Sequence, residues 1–129
     1  MGLIDWIRGG PQKEPVALND GNFVQEVRRS QLPVLVDVWS PGCQPCVALA
    51  PTIKRLAAKY EGQVKVAHLD ASQAPRTMAK VRVRGTPTVL LYKKGRVVER
   101  IVGLRGQHYF EDAIEELLLE SPTATGPAA

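Results

Sequence analysis

The order in which strand-length and helix-length patterns follow one another restricts the fold of this chain more than any other feature. Short apolar runs predict five strands, at Val16–Leu18, Pro33–Trp39, Val64–Leu69, Thr88–Tyr92 and Arg96–Val102. Apolar residues at helical spacing predict four helices, Asn19 or Asp20 to Ser30, Cys43 to Tyr60, Gln73 to Val81 and Gly106 to Glu120. This order, closing with a hairpin turn at Lys93-Lys94-Gly95, predicts an α/β domain: a mixed sheet of about five strands with helices on both faces.

The length of 129 residues fits a single domain. Residues 1–15 are expected to be an N-terminal extension, residues 16–120 the domain, and residues 121–129, rich in Pro, Thr, Gly and Ala, a disordered tail. No apolar run reaches the length of a membrane span, and the first residues lack the pattern of a secretory signal. We therefore expect a cytoplasmic monomer without membrane contact.

The chain is basic, with a formal net charge of +4 and a pI near 9.3. A basic balance is typical of nucleic-acid binding, but the basic residues are scattered along the chain and aromatic residues make up only 5%. We interpret the positive charge as solvated surface and expect no nucleic-acid partner.

The two cysteines lie where the second predicted strand gives way to a helix, in the sequence Cys43-Gln44-Pro45-Cys46. Two cysteines so close together do not form the disulfide scaffold of a secreted protein, and they favour redox chemistry or metal binding. Unpaired N–H groups and the positive end of the helix dipole would stabilise a Cys43 thiolate, the reactive form. Cys46, three residues later, can close a disulfide with Cys43.

Metal binding is the main alternative to redox chemistry. A zinc site needs four ligands, and only His68 and His108 could join the two thiols, neither at motif spacing. A metal cluster shared between two chains, each giving two cysteines, is a weaker alternative. We favour redox chemistry and expect no metal and no bound cofactor.

Asp37 lies inside the apolar strand Pro33–Trp39, where a charge is costly. A buried carboxyl group has a raised pKa and can carry a proton, and such groups cluster at active sites. The alternative is a structural aspartate satisfied by hydrogen bonds at the end of the strand. We favour the functional role.

Short motifs follow one another along the predicted domain. They are Val36-Asp37-Val38-Trp39, Cys43-Gln44-Pro45-Cys46, Pro51, Val66-Ala67-His68-Leu69-Asp70, Val83-Arg84-Gly85-Thr86-Pro87-Thr88, Lys94-Gly95 and Val102-Gly103. In this order they resemble the thioredoxin family over about Val16 to Glu120, and the resemblance implies the thioredoxin fold. It also implies that Cys43 attacks a substrate disulfide, that Cys46 resolves the mixed disulfide, and that Asp37 helps to deprotonate Cys46.

The same resemblance implies a substrate-binding surface around Cys43. Pro87 would be a cis-proline facing the cysteines, and it would expose backbone groups of Thr86 to a substrate strand. Further substrate contacts are expected from residues near the cysteines: Trp39, Gly42, Gln44, Pro45 and Gly103.

The chain departs from the family pattern at three positions. Gly42 stands where the commonest thioredoxins have a second Trp, Gln44 where they have Gly, and His68 where many have Lys. Strand alternation should bring His68 towards Asp37, where it would modulate the pKa of the carboxyl group. The alternative is a structural His68 turned away from Asp37.

The resemblance implies a protein-disulfide reductase that acts on disulfide-containing client proteins and is regenerated by an NADPH-dependent thioredoxin reductase. Two alternatives stay open: a reductant dedicated to one partner, and a thioredoxin-fold interaction module that uses its surface more than its thiols.

Overall fold

The computed structural model describes residues 10–119. Its strands are β1 (Val16–Leu18), β2 (Val34–Trp39), β3 (Lys65–Asp70), β4 (Thr88–Lys93) and β5 (Arg96–Val102). Its α-helices are α1 (Gln44–Lys59), α2 (Pro75–Val81) and α3 (Gln107–Leu119), with a π-helix at Val24–Arg28 and a 3-10 turn at Ala71–Gln73. The predictions for residues 1–9 and for the tail lie outside the described residues. Within residues 10–119, no helix has the length and apolar character needed to cross a membrane.

The strands form one mixed sheet in the order β1-β3-β2-β4-β5. β1, β3 and β2 run parallel, whereas β4 runs antiparallel to β2 and to β5. This arrangement confirms the predicted thioredoxin fold. Because β4 is antiparallel to β2, the start of β4 lies beside the end of β2, where Cys43 follows.

Both faces of the sheet are covered by helices, which explains why Val34 to Val38 in the central strand β2 are all buried. One core cluster joins Leu35 and Val89 to α1 and α3, and the other joins Val36 and Leu90 to the π-helix and α2. On α1, the spacing of Leu49, Ile53 and Leu56 places these buried side chains on one stripe.

The first predicted helix is the main difference between the sequence prediction and the structure. Asn19 and Asn22 form a turn, in which the Asn19 side chain accepts hydrogen bonds from the backbone of Gly21 and Asn22. The helical segment that follows is only the five-residue π-helix, closed by a hydrogen bond from the Arg29 N–H to the Val24 carbonyl (2.9 Å). The apolar residues Phe23 and Val27 are buried as their spacing predicts, but the turn at Asn19 delays the start of the helix.

Candidate functional site

Cys43 and Cys46 form a disulfide, with their Cα atoms 5.3 Å apart. Cys43 is the N-cap residue of α1, and its backbone is extended (φ −88°, ψ 104°). The Cys46 N–H donates a hydrogen bond to Cys43 Sγ over 3.2 Å. Cys43 is partly exposed, whereas Cys46 is only 5% exposed. The two sulfur atoms therefore differ in access to solvent and in their position relative to the helix terminus.

The segment before β4 lies against Cys43. The Thr86–Pro87 peptide bond is cis, and the Thr86 carbonyl oxygen lies 3.5 Å from Cys43 Sγ. The Gly103 N–H donates to the Pro87 carbonyl (2.9 Å), which ties the end of β5 to this segment. Thr86, Pro87 and Gly103 thus lie together beside Cys43. Ser40, which the sequence analysis did not single out, shares a 2.7 Å hydrogen bond between its hydroxyl and that of Thr86.

The surface around Cys43 is open. Gly42, Gln44 and Pro45 are exposed, as is Val47, at 64%. Gly42 has a φ of +78°, a conformation that favours glycine. Trp39 is half-buried and does not belong to either core cluster, so it borders the site instead of filling the interior.

Behind the disulfide lies a cavity of about 360 Å³. Asp37, Cys46 and His68 line it, and so do Glu14 and Lys54. The carboxyl group and the buried cysteine therefore face a common space that opens to solvent.

Asp37 is 4% exposed, and its Oδ1 has no hydrogen-bond partner within residues 10–119. Burial raises the pKa of Asp37 from its ordinary 3.8 to about 7. A carboxyl group with this pKa exchanges its proton readily at neutral pH, as a general acid or base must.

His68 stands opposite Asp37 in the register of β2 and β3, so their side chains share one face of the sheet. Its ring stacks on Trp39, with centroids 6.4 Å apart and planes inclined by 20°. Burial lowers the pKa of His68, Glu14 raises it and Lys54 lowers it. His68 is therefore neutral at neutral pH and makes no hydrogen bond to Asp37 among the described residues.

Glu14 and Lys54 were not predicted to belong to the site. Lys54 Nζ lies 3.0 Å from the Glu14 carboxylate, and the Lys13 N–H donates to the Lys54 carbonyl (3.0 Å). Lys54 had a signal in the sequence, because it lies eight residues after Cys46 and so on the same face of α1. Glu14 had none, since its place depends on how the segment before β1 packs on that helix.

The two histidines are not placed to complete a metal site with the thiols. His68 stacks on Trp39, and His108 has a side chain 98% exposed on α3, beside Glu111. Over residues 10–119, no group of three or more His, Cys, Asp and Glu side chains is arranged to hold a metal ion.

Comparison with known proteins supports this geometry. The model of the family described as Thioredoxin matches residues 14–116. The chain is 36% identical to thioredoxin from Synechocystis sp., over 78% of this chain and 94% of the relative. It is 38% identical to thioredoxin M-type, chloroplastic, from Spinacia oleracea, over 82% of this chain and 59% of the relative. It is also 38% identical to thioredoxin 1 from Nostoc sp., over 67% of this chain and 80% of the relative.

Proposed function

The chain belongs to the thioredoxin family and is a thiol–disulfide oxidoreductase, and from this premise we propose how the work is divided between its two cysteines. Cys43, as a thiolate, attacks one sulfur of a client disulfide. A bond forms between Cys43 and that sulfur, and the other client sulfur leaves as a thiolate that takes up a proton. The product of this step is a mixed disulfide.

Cys46 completes the transfer. Its thiol loses a proton, and the resulting thiolate attacks Cys43 Sγ. The Cys43–Cys46 bond forms, the bond to the client breaks, and the second client thiolate leaves and is protonated. The client has then gained two electrons and two protons, and the protein has been oxidised to the disulfide.

The position of Cys43 at the N-cap of α1 carries this proposal. A thiolate there faces unpaired backbone N–H groups, and the Cys46 N–H already points at its sulfur over 3.2 Å. Cys46 is buried, so it reacts only with a group delivered to Cys43.

Asp37 is proposed as the base that accepts the proton of Cys46. The two residues line the same cavity, and burial brings the pKa of Asp37 to about 7. A base titrating near the operating pH combines sufficient basicity with a useful ionised fraction. His68 modulates this base through its uncharged, half-buried ring.

Clients are proposed to bind as extended segments across the exposed surface beside Cys43. Thr86 and Pro87 offer backbone groups for strand-like pairing, and Gly103 holds this segment in place. Trp39, Gly42, Gln44 and Pro45 complete the contact surface. We further propose that the protein is a monomer that acts in the cytoplasm and is regenerated by an NADPH-dependent thioredoxin reductase.

Trapping of client proteins tests the two roles. Full-length Cys46→Ser should accumulate mixed disulfides with clients, because the resolving thiol is missing. Cys43→Ser should accumulate few, because its remaining thiol is buried. Each variant is incubated with oxidised protein extract, and the adducts are resolved with and without reductant. Equal trapping by both variants would contradict the assignment, and adducts with a single protein would identify a dedicated reductant.

A further inference from the structure

A second cavity, of about 350 Å³, lies on the other face of the sheet. It is bounded by the π-helix, α2 and the β4–β5 hairpin. Tyr92 in its wall pairs with Val34 at the start of β2, whereas Cys43 follows the end of that strand. Because β2 rises about 17 Å from Val34 to Trp39, the cavity is well separated from the disulfide.

Positive charge converges on this cavity from three elements. Arg28 of the π-helix, Arg76 and Lys80 of α2, and Arg100 of β5 all line it, and all four side chains are exposed. Among residues 10–119, none of the four forms an ion pair with a carboxylate. Basic residues that are scattered in the sequence are therefore gathered at one place in the fold.

Among the described residues that line the cavity, Asp20 is the only acidic one, and its carboxylate already accepts hydrogen bonds. It accepts hydrogen bonds from the backbone N–H groups of Arg76 (3.1 Å) and Thr77 (2.8 Å), and from the Thr77 hydroxyl (2.8 Å). These bonds direct the Asp20 charge to the start of α2. The charge of Arg76 also acts on Asp20, so this carboxylate offsets part of the positive charge at the start of α2.

The wall between the cations is apolar and aromatic. The rings of Phe23 and Tyr92 meet edge to face, with centroids 5.9 Å apart, and Val24 beside them is 45% exposed. Burial raises the pKa of Tyr92, and the charges of Arg100 and Arg28, which line the same cavity, act in the opposite direction. Among the described residues the Tyr92 hydroxyl has no hydrogen-bond partner, which leaves it available to a ligand.

We propose that this cavity binds an organic polyanion, of the nucleoside polyphosphate class. Its phosphate groups contact Arg28, Arg100 and the cations of α2, and its apolar body lies on the exposed Val24, next to the Tyr92 hydroxyl. The volume matches the lower range of small-molecule sites. Four cations around one cavity favour a ligand with several negative charges, and guanidinium groups bind phosphate through paired hydrogen bonds. Binding of a ligand in this cavity does not depend on the redox state of the dithiol or on the roles proposed for Cys43 and Cys46.

Calorimetric titration of the full chain with ATP, at about 0.15 M ionic strength and without divalent cations, tests the proposal. The double variant Arg28→Gln/Arg100→Gln should bind ATP at least about tenfold more weakly, because two charge-assisted contacts are lost. The matched control is Arg29→Gln/Arg96→Gln, which removes the same charge from exposed positions outside the cavity. It should change the affinity less than about twofold.

Titration with tripolyphosphate and with adenosine distinguishes the contribution of the cations from that of the apolar wall. Tripolyphosphate should bind more weakly than ATP because it has no apolar body, and adenosine should bind more weakly still because it has no charge. Equal losses in both double variants would show that only net charge attracts ATP, and would overturn the proposal. Equal affinities for ATP and tripolyphosphate would overturn the role of the apolar wall. A lack of binding at millimolar ATP would overturn the site altogether.

Discussion

The raised pKa of Asp37 makes the stability of the protein depend on pH. The Asp37 carboxyl group is buried, none of the described residues donates a hydrogen bond to Oδ1, and burial raises the pKa from an ordinary 3.8 to about 7. Between these two values the folded protein holds a proton that the unfolded chain releases. The free energy of unfolding contributed by this group is therefore greatest below the lower value, falls as the pH rises through this window, and is constant above about 7.

Asp37→Asn should remove this pH-dependent loss. From about pH 5 to about pH 8, the variant should gain about 3 kcal/mol in unfolding free energy relative to the wild type. Denaturant unfolding of the oxidised proteins at several pH values measures the difference. Asp112→Asn, which removes an exposed carboxylate on α3, should keep the wild-type dependence. A pH-independent difference between Asp37→Asn and the wild type would contradict the raised pKa.

His68 faces Asp37 as a neutral ring, so a cation at this position should change the pH dependence of resolution by Cys46. His68→Lys should lower the pKa of Asp37 and flatten the dependence near neutrality, whereas the neutral His68→Gln should keep the wild-type midpoint. The measurement is single-turnover reduction of a disulfide client from about pH 5.5 to about pH 8.5. Superimposable profiles for wild type and His68→Lys would show that His68 takes no part.

The ion pair of Glu14 and Lys54 acts on His68 with opposite signs. Glu14 raises the pKa of His68 and Lys54 lowers it, so Glu14→Gln should lower that pKa and Lys54→Gln should raise it. NMR titration of the His68 ring in the wild type and in both variants measures the two directions. Shifts of the same sign in both variants would mean that the substitutions act through the fold and not through charge.

The site shows how far single residues reveal their role in the sequence. The burial of Asp37 could be predicted, because this residue lies inside an apolar strand. Its position opposite His68 in the neighbouring strand followed from strand alternation. Glu14 could not be predicted, because its contact with Lys54 depends on the packing of two segments distant in the sequence.

At the scale of elements, the β4–β5 hairpin and the π-helix depend on each other. The hairpin turn contains Lys94 and Gly95, whose φ values of 53° and 80° suit a tight two-residue connection. A Cβ atom added to Gly95 would lie 2.6 Å from the Arg28 carbonyl oxygen at the end of the π-helix. The hairpin is therefore held closer to this helix than any side chain at position 95 allows.

Gly95→Ala should accordingly destabilise the protein more than Gly62→Ala. Both glycines have positive φ, and each substitution should cost about 1–2 kcal/mol for that reason. A Cβ on Gly62 meets no atom within 4 Å, so only Gly95→Ala must also displace backbone. We expect an additional loss of about 1 kcal/mol or more at Gly95, measured by denaturant unfolding. Equal losses at the two positions would mean that the hairpin moves away without cost.

The elements themselves could largely be predicted, since most strands and helices follow from apolar runs and stripes that the core then buries. The exception was the segment after β1. Phe23 and Val27 have helical spacing, but Asn19 offers its side chain to the backbone and forms a turn first. The hydrogen bonds of the Asn19 side chain therefore determined the local backbone conformation. The helical spacing of Phe23 and Val27 predicted only that these two side chains are buried.

At the scale of the whole molecule, exposed basic residues gather in at least two regions of the described chain. One is the cavity lined by Arg28 and Arg100, and a second is the exposed pair Arg82 and Arg84, just before Thr86. The second region borders the proposed client surface. It is placed to attract acidic clients towards Cys43.

The rate of reduction of an acidic client should therefore fall as salt is added, by several-fold between low and physiological ionic strength. Arg82→Gln/Arg84→Gln should flatten this dependence, whereas Arg29→Gln/Arg96→Gln should keep it. Stopped-flow rates with one acidic and one neutral client measure the effect. A flat profile for the wild type with the acidic client would leave these arginines no part in attraction.

The burial of β2 has a consequence for the timing of the reaction. Val34 to Val38 are all buried between two layers of helices. The backbone around Asp37 therefore belongs to the part of the fold in which local unfolding is rarest. Slow backbone hydrogen exchange in this strand would coexist with the proposed gain and loss of a proton by the Asp37 side chain in every turnover. Local unfolding of β2 is too rare to allow this proton exchange. The cavity lined by Asp37, Cys46 and Lys54 gives the proton another route to solvent. The rate of proton exchange at Asp37 therefore does not depend on local unfolding of the sheet. A variant with a more rigid sheet need not reduce disulfides more slowly.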